Sequence, residues 1–263
     1  MEVVILETAQ DVSARAADVV STLVRRKPQA VLGLATGRTP LGMYAELVRR
    51  HRHEALDFSQ VTTFNLDELV GLGDAHPDSY RAYMQRHLFA HVNLRSTQTF
   101  VPDGMAHDLS RACEDFEAAI RATGGIDLQV LGLGGAGHIG FNEPTSSLAS
   151  RTRIKTLTPA TLAANGLTRP AGNVPLHVIT MGVGTILEAR HCLVLAAGAP
   201  KAAAVAQMVE GPVTAFVPAS ALQLHARTTV LVDEAAASRL ALGDYYREVH
   251  RGKPAWQRER DGV

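Results

Sequence analysis

A glycine-rich segment carries a histidine and a carboxylate that could act as an acid and a base. Its sequence is LGLGGAGHIGFNEP, with His138 and Glu143 five positions apart. Its glycines favour a loop, in which a turn could bring the carboxylate to the imidazole for proton exchange near neutral pH. Its GxGxxG spacing is not followed by a helical pattern, which argues against dinucleotide binding. A single loop histidine is more often structural, so a catalytic role needs further support.

Two adjacent acids, Asp67 and Glu68, follow the apolar run of residues 61–65. Neighbouring residues at a strand end point in different directions, so only one of the two is expected to face a given substrate atom. A partly desolvated carboxylate at this position could be a general base with a raised pKa. The alternative is a helix start, with Asp67 as the N-cap and Glu68 in the first turn. The local sequence alone favours the helix start.

A third segment, ATGRTPL, has the features of an anion site. Its proline suits the first turn of a helix, and a glycine before it lets the backbone approach a ligand closely. The groups that could surround a phosphate there are the hydroxyls, amides and guanidinium of Thr36, Gly37, Arg38 and Thr39. The segment lacks a P-loop lysine, which disfavours nucleotides, and a threonine-capped turn is the alternative.

The three segments follow apolar runs that alternate with amphipathic stretches. The apolar runs predict strands at residues 30–34, 61–65, 128–133, 177–181, 192–197 and 228–232. The amphipathic stretches predict helices at residues 10–26, 41–50, 78–90, 109–123, 201–210 and 235–250. This alternation predicts a Rossmann-like α/β fold, with a doubly wound, mostly parallel sheet and helices on both faces. Ligands of such sheets bind beyond the carboxyl ends of the strands, where the three segments lie.

The composition is typical of a globular protein with no polyanionic partner. The chain has 263 residues, 46% of them apolar, and no repeat or linker divides it, so residues 1–263 are expected to form a single domain. Because 26 basic residues balance 26 acidic ones, no nucleic acid or membrane partner is expected. Two cysteines without metal-ligand spacing, and no signal peptide or membrane-spanning run, predict a cytoplasmic protein without a bound metal.

Several segments together resemble the glucosamine-6-phosphate deaminase/isomerase family. They are TGRTPLGMY, TTFNLDELVGL, HPDSY, GLGGAGHIGFNEPTSSLASRTRIKTLT, VPLHVITMGVGTILEAR, GAPKA and SALQLH. The resemblance runs almost from end to end, and residues 137–158 are its most specific part. It implies conversion of glucosamine 6-phosphate and water to fructose 6-phosphate and ammonium, with no cofactor.

The resemblance also implies a role for each candidate residue. His138, oriented by Glu143, would open the sugar ring, and Asp67 would move a proton between C2 and C1. The 6-phosphate would bind the segment from Thr36 to Thr39 and Lys201, whose cation is otherwise disfavoured at the start of a helix.

The sequence departs from the family pattern at two positions. Ala136 stands where the family usually has an aspartate that helps to hold the histidine. With Glu143 alone to orient it, His138 is expected to have a lower pKa than a histidine flanked by two carboxylates. Leu167 stands where the family commonly has a phosphate-binding arginine, so that Arg38 or Arg169 could take over the phosphate contact.

Some family members are activated by N-acetylglucosamine 6-phosphate at a subunit interface. The matching positions are Ser146, Ser147, Arg153 and Lys155, which could equally be retained for structural reasons. The resemblance leaves open whether this chain is activated in this way and whether it forms a homo-oligomer.

Three alternative functions remain open at this point. The first is a lactonase of the related 6-phosphogluconolactonase group, which shares the fold and the histidine loop. The second is a deaminase for another amino sugar phosphate. The third is a sugar-phosphate sensor without turnover, as Ala136 would allow.

Overall fold

Among the residues that the structure describes, seven parallel strands form a central sheet. The computed structural model describes residues 1–158, 161–162 and 177–257. The strands in these ranges are β1 (Glu2–Leu6), β2 (Val31–Leu34), β3 (Thr62–Asn65), β4 (Asp67–Leu69), β5 (Thr99–Phe100), β6 (Leu128–Gly132), β7 (Arg153–Thr156), β8 (His177–Thr180), β9 (Cys192–Ala196) and β10 (Thr228–Asp233). The order in the central sheet is β1-β10-β9-β6-β2-β3-β5, and all neighbouring pairs are parallel.

Helices cover both faces of this sheet. In the described ranges the α-helices are α1 (Ala9–Arg26), α2 (Leu41–His53), α3 (Tyr80–His87), α4 (Leu109–Ala122), α5 (Val183–Leu187), α6 (Ala202–Val209), α7 (Glu234–Ala237) and α8 (Gly243–Arg251). Successive side chains of a strand point to opposite faces, so Val130 and Leu131 of β6 enter opposite cores. Helices α1 and α2 contribute to one core, and α4 and α6 contribute to the other. The predicted doubly wound α/β fold is therefore confirmed.

The first helix shows how local sequence sets an element boundary. The Thr8 hydroxyl accepts a hydrogen bond from the Asp11 amide, and the Asp11 carboxylate accepts one from the Thr8 amide. This capping box satisfies two amides that the helix itself leaves without acceptors. Helix α1 begins at Ala9 for this reason, one residue before the start that the sequence pattern predicts.

A second, smaller sheet corrects the predicted topology. Strand β8 was predicted as a further strand of the parallel sheet, but it lies between β4 and β7 and is antiparallel to both. Asp67 and Arg153 both pair with Thr180, so the three residues form a row across this sheet. Strands β4 and β7 were not predicted, because charged residues interrupt the apolar pattern that identifies buried strands. Strand β4 brings Asp67 to the end of the central sheet.

The predicted C-terminal helix, residues 235–250, is two helices. Helix α7 begins after the N-cap Asp233, and α8 begins at Gly243. Between them the Glu210 carboxylate accepts hydrogen bonds from the amides of Ala241 and Leu242, at 2.8 and 2.9 Å, which holds the chain in a break. The other corrections are the unpredicted strands β1 and β5 and shifts of one to three residues at helix ends. No helix within the described ranges is long and apolar enough to cross a membrane.

Candidate active site

A cavity of about 470 Å³ opens beyond the carboxyl ends of β2 and β6. All three segments that the sequence singled out line it, together with the start of the helical segment after β9. Its lining residues are Ala35, Thr36, Gly37, Arg38, Thr39, Leu66, Asp67, Tyr80, Gly132, Leu133, Gly134, Gly135, Ala136, His138, Gly140, Phe141, Glu143, Pro144, Thr161 and Lys201. Acid–base groups and cations from distant parts of the chain thus share one cavity.

Asp67 is the most strongly perturbed acid in this cavity. It is the first residue of β4 and is only 5% exposed. No described residue donates a hydrogen bond to its carboxylate. Burial, assisted by the neighbouring charge of Glu68, raises the pKa of Asp67 to about 8. A carboxyl group with a pKa in this range can accept a proton and return it, as a proton shuttle must.

Glu68 anchors the strand that carries Asp67. Its carboxylate accepts hydrogen bonds from the amides of Tyr80 and Arg81, at 2.8 and 2.9 Å, which are the first two residues of α3. A carboxylate stabilises this end of a helix because the amides there have no acceptor within the helix. The helix start predicted at Asp67 is therefore wrong. Both acids belong to a strand, and Glu68 binds the start of a later helix.

The His138 ring lies directly over the backbone of Gly134. A Cβ atom at Gly134 would lie 2.1 Å from Nε2 and 2.2 Å from Cε1 of the imidazole, so only glycine leaves room for the ring. The Gly134 amide donates to the His138 carbonyl at 2.8 Å, which closes the loop. Gly137 has a φ of +72° and packs against Val217. The glycines therefore determine where the imidazole can lie.

The hydrogen bond expected between Glu143 and His138 is not formed. The Glu143 carboxylate accepts a hydrogen bond from the Thr161 hydroxyl, and the buried Nδ1 atom of His138 has no partner in the described part of the chain. The reason lies in the turn between them. The Asn142 side chain donates to the backbone oxygens of Ile139 and Met181 at 2.9 and 2.8 Å, which fixes the turn and the direction of the next residue.

Charges around His138 nevertheless act on its protonation. Burial lowers the pKa of His138, the Glu143 charge opposes this shift, and the Lys201 charge adds to it. The effect expected of Ala136 stays a prediction, because burial and the two neighbouring charges account for this shift. The imidazole is therefore mainly neutral at pH 7 and can accept a proton.

The segment after β2 presents donors to the same cavity. The amides of Thr36, Gly37, Arg38 and Thr39 have no acceptor among the described residues. Gly37 has a φ of +94°, which turns the chain between the strand and α2. Lys201 stands at the N-cap of α6, and its pKa is lowered by burial and by the Arg38 charge. Backbone donors beside two mutually repelling cations form a site suited to an anion. Arg169, the other arginine considered for this role, lies outside the described residues.

Tyr80 lines the cavity but received no role from the sequence. Its ring stacks on Phe141, with centroids 6.2 Å apart and an angle of 13° between planes. Burial and the Asp67 charge raise its pKa well above the usual value, so the phenol stays protonated. The HPDSY motif was the one sequence signal that could have pointed to Tyr80, because a single tyrosine forms no recognisable pattern with its neighbours in the sequence.

The four residues considered for activator binding are only partly brought together. Arg153 and Lys155 lie on one side of β7, and Arg153 donates to the Asn142 side chain at 2.8 Å. No hydrogen bond within the described residues joins Arg153 or Lys155 to either serine, Ser146 or Ser147. A separate cavity of about 530 Å³ lies beside Arg153.

Taken together, the cavity can bind an anion and transfer protons at two points. Asp67 and His138 supply groups with pKa values shifted in opposite directions, an arrangement typical of acid–base catalysis. No group of three or more histidine, cysteine, aspartate or glutamate side chains suited to a metal occurs in the described ranges.

Comparison with known families gives a match over most of the chain. Residues 6–231 match the family described as glucosamine-6-phosphate isomerases/6-phosphogluconolactonase. The glucosamine-6-phosphate deaminase of Arthrobacter sp. (strain FB24) is 55% identical over 258 residues, which are 98% of this chain and 99% of that protein. The glucosamine-6-phosphate deaminase of Mycolicibacterium smegmatis is 51% identical over 259 residues, with the same coverage.

Solved structures show the same fold. A glucosamine-6-phosphate deaminase described as monomeric superposes with a TM-score of 0.88 at 43% identity, covering 91% of this chain and all of that one. The 6-phosphogluconolactonase of Trypanosoma brucei has a TM-score of 0.73 at 19% identity, covering 91% and 98% of the two chains. The second similarity concerns the fold alone.

Proposed function

Because this chain belongs to the family of glucosamine-6-phosphate isomerases and 6-phosphogluconolactonases, we propose that it is a glucosamine-6-phosphate deaminase. The observation that carries the proposal is the buried Asp67 carboxyl group, with a pKa of about 8, in a cavity that also holds His138 and an anion site. Relatives with more than half of their residues identical bear the same name. The reaction releases ammonium and forms fructose 6-phosphate.

His138 opens the sugar ring in this proposal. The neutral imidazole accepts the proton of the C1 hydroxyl and delivers a proton to the ring oxygen, which breaks the bond between C1 and that oxygen. The lowered pKa of His138 keeps the ring in the form that accepts a proton. Glu143 acts through its charge, which stabilises the imidazolium as it forms.

Asp67 then moves one proton along the open chain. The ionised carboxylate removes the C2 proton while a proton passes from the C2 ammonium group to O1, which gives an enolamine. Asp67 then returns its proton to C1, which gives a protonated imine at C2. Water adds to C2 and ammonia leaves, so that the ketone of fructose 6-phosphate remains. The pKa of about 8 strengthens Asp67 as a base compared with an exposed aspartate.

Ammonium release separates this function from the three alternatives. The purified protein is incubated with glucosamine 6-phosphate and with other amino sugar phosphates, and ammonium is measured. A lactonase releases none, and a sensor releases none but is stabilised thermally by the sugar phosphate. Faster release from a different amino sugar phosphate would assign that substrate instead.

Substitution of Arg38 tests the phosphate site. We expect Arg38→Ala to raise the KM for glucosamine 6-phosphate about tenfold, because a charge-assisted hydrogen bond is worth roughly 1.5–3 kcal/mol. The KM for unphosphorylated glucosamine should change by less than about twofold, since it makes no such bond. Steady-state kinetics with both substrates check this, with the exposed Arg95→Ala as control. Equal effects on both substrates would exclude a phosphate contact.

Substitution of Ala136 tests the departure from the family pattern. Nδ1 of His138 lacks a partner in the described part of the chain, and a carboxylate nearby would favour the imidazolium. We expect Ala136→Asp to raise the His138 pKa, shift the acidic limb of the pH–rate profile upward and increase kcat severalfold. Ala136→Asn, which adds similar bulk without charge, is the control. An unchanged pH profile and turnover in the aspartate variant would contradict the idea.

Activation by N-acetylglucosamine 6-phosphate is a further part of the proposal. Arg153 supports it, because this half-buried guanidinium has no carboxylate partner among the described residues and its pKa is lowered by burial. Assays with and without the acetylated sugar phosphate test activation, and sedimentation under both conditions tests assembly. The structural relative at 43% identity is described as monomeric.

A further inference from the structure

Two tyrosines, Tyr44 and Tyr83, hold the segment that contributes four backbone amides to the cavity. Tyr44, on α2, is fully buried, and its hydroxyl donates to the Ala35 carbonyl at 2.6 Å. Tyr83, on α3, donates to the Gly37 carbonyl at 2.5 Å. Two helices thus fix two alternate carbonyls of one short segment.

Peptide geometry links these carbonyls to the amides that follow them. In a trans peptide unit the carbonyl and the N–H of the next residue point in opposite directions. The bond to Tyr44 therefore directs the Thr36 amide away from Tyr44, and the bond to Tyr83 directs the Arg38 amide away from Tyr83. Neither amide has an acceptor in the described ranges, and both residues line the cavity.

The two hydrogen bonds also keep the carbonyl oxygens of Ala35 and Gly37 turned away from the cavity. A carbonyl oxygen that turned into the cavity would repel an anion and remove a donor from the site. At Tyr44, which is fully buried, that rotation would leave a phenol donor without an acceptor. At the partly buried Tyr83, it would break a direct hydrogen bond of 2.5 Å. Burial raises the pKa of Tyr44 well above its ordinary value. Burial raises the pKa of Tyr83 as well, so both phenols remain donors at neutral pH.

We propose that Tyr44 and Tyr83 are positioning residues for a phosphate monoester, aligning the amides of Thr36 and Arg38 toward it by holding the preceding carbonyls. This inference rests on the proposed function, because it takes the sugar 6-phosphate as the anion. Helices α2 and α3 thus hold the anion-binding segment in place, a role that their sequences did not indicate. Neither tyrosine has to touch the substrate.

Removal of single hydroxyls tests the proposal. For Tyr83→Phe and for Tyr44→Phe, we expect the KM for glucosamine 6-phosphate and the Kd for inorganic phosphate to rise about three- to tenfold, while kcat stays within about twofold. A purely structural role would instead lower the melting temperature and leave the phosphate affinity of the folded protein unchanged. Tyr246→Phe is the matched control, because its hydroxyl bonds to Glu210 outside the cavity.

Two arms keep this test distinct from that of the proposed function. If the unaltered protein releases no ammonium from glucosamine 6-phosphate, the proposed function fails, and phosphate affinity measured by calorimetry still tests the tyrosines. If ammonium is released but both variants bind phosphate as tightly as the unaltered protein, the positioning role is overturned. Tyr83 lies nearer the surface than Tyr44, so its variant decides the matter if Tyr44→Phe does not fold.

Discussion

Asp67→Asn should lower the turnover of glucosamine 6-phosphate by about 10³-fold or more, because a positioned general base contributes roughly 10²–10⁴-fold and Asp67 serves in two successive proton transfers. Asparagine has nearly the same shape and cannot accept the C2 proton. The affinity for inorganic phosphate should stay within about twofold, since the anion site lies on other segments. Ammonium release and calorimetry measure the two quantities.

The pH dependence offers a second check on Asp67. Only the ionised carboxylate accepts a proton, so kcat/KM of the unaltered protein should rise with pH as Asp67 is titrated near its pKa of about 8. The residual activity of Asp67→Asn should lack that rise. Substantial turnover by the asparagine variant, with the same pH profile, would refute the assignment.

Gly134→Ala should lower kcat about 10²- to 10³-fold while the protein remains folded. The added methyl group would lie about 2 Å from three ring atoms of His138, so the imidazole must swing out of its position. The ring is the far end of a side chain, so this movement leaves the backbone in place and costs little stability. Turnover and the melting temperature are the two measurements.

A neighbouring glycine supplies the control for this effect. Gly135→Ala adds the same methyl group where no other side chain or distant backbone atom lies within 4 Å. We expect its kcat to stay within about twofold of the unaltered protein. Comparable losses in both variants would mean that the loop backbone, rather than the position of His138, limits the reaction.

Five of the seven strands of the central sheet were predictable because they follow short apolar runs, whereas β1 and β5 at its edges were not. Strands β2, β3, β6, β9 and β10 are buried on both faces and therefore carry no alternating polar pattern. The small antiparallel sheet was not predictable in the same way. Strand β4 begins with two acids, and its pairing with β8 joins segments more than a hundred residues apart. Sequence periodicity contains no signal for such a pairing.

The candidate site was predictable in its residues and less so in its contacts. Local patterns marked His138 and Asp67 as groups that could transfer protons, and the resemblance gave them roles. The partner of Glu143 was wrong, because Asn142 bridges to Met181, a residue distant in sequence, and this bridge sets the turn. A capping role for Glu68 was foreseeable, but the helix that it caps begins twelve residues later and was not. Both contacts join residues that lie outside one local motif, and short motifs do not encode such contacts.

The burial of Asp67 has a thermodynamic consequence. Its pKa is about 8 in the folded protein, against an ordinary value of 3.8, so the folded state holds a proton that the unfolded chain releases. The unfolding free energy should therefore fall as pH rises from about 4 to about 8, by up to roughly 5 kcal/mol from this one group. Asp67→Asn should lose that dependence and resist denaturant better than the unaltered protein at pH 9. The burial that makes Asp67 a stronger base therefore also lowers the unfolding free energy. This loss is largest at the pH where the carboxylate is ionised and can act as the base.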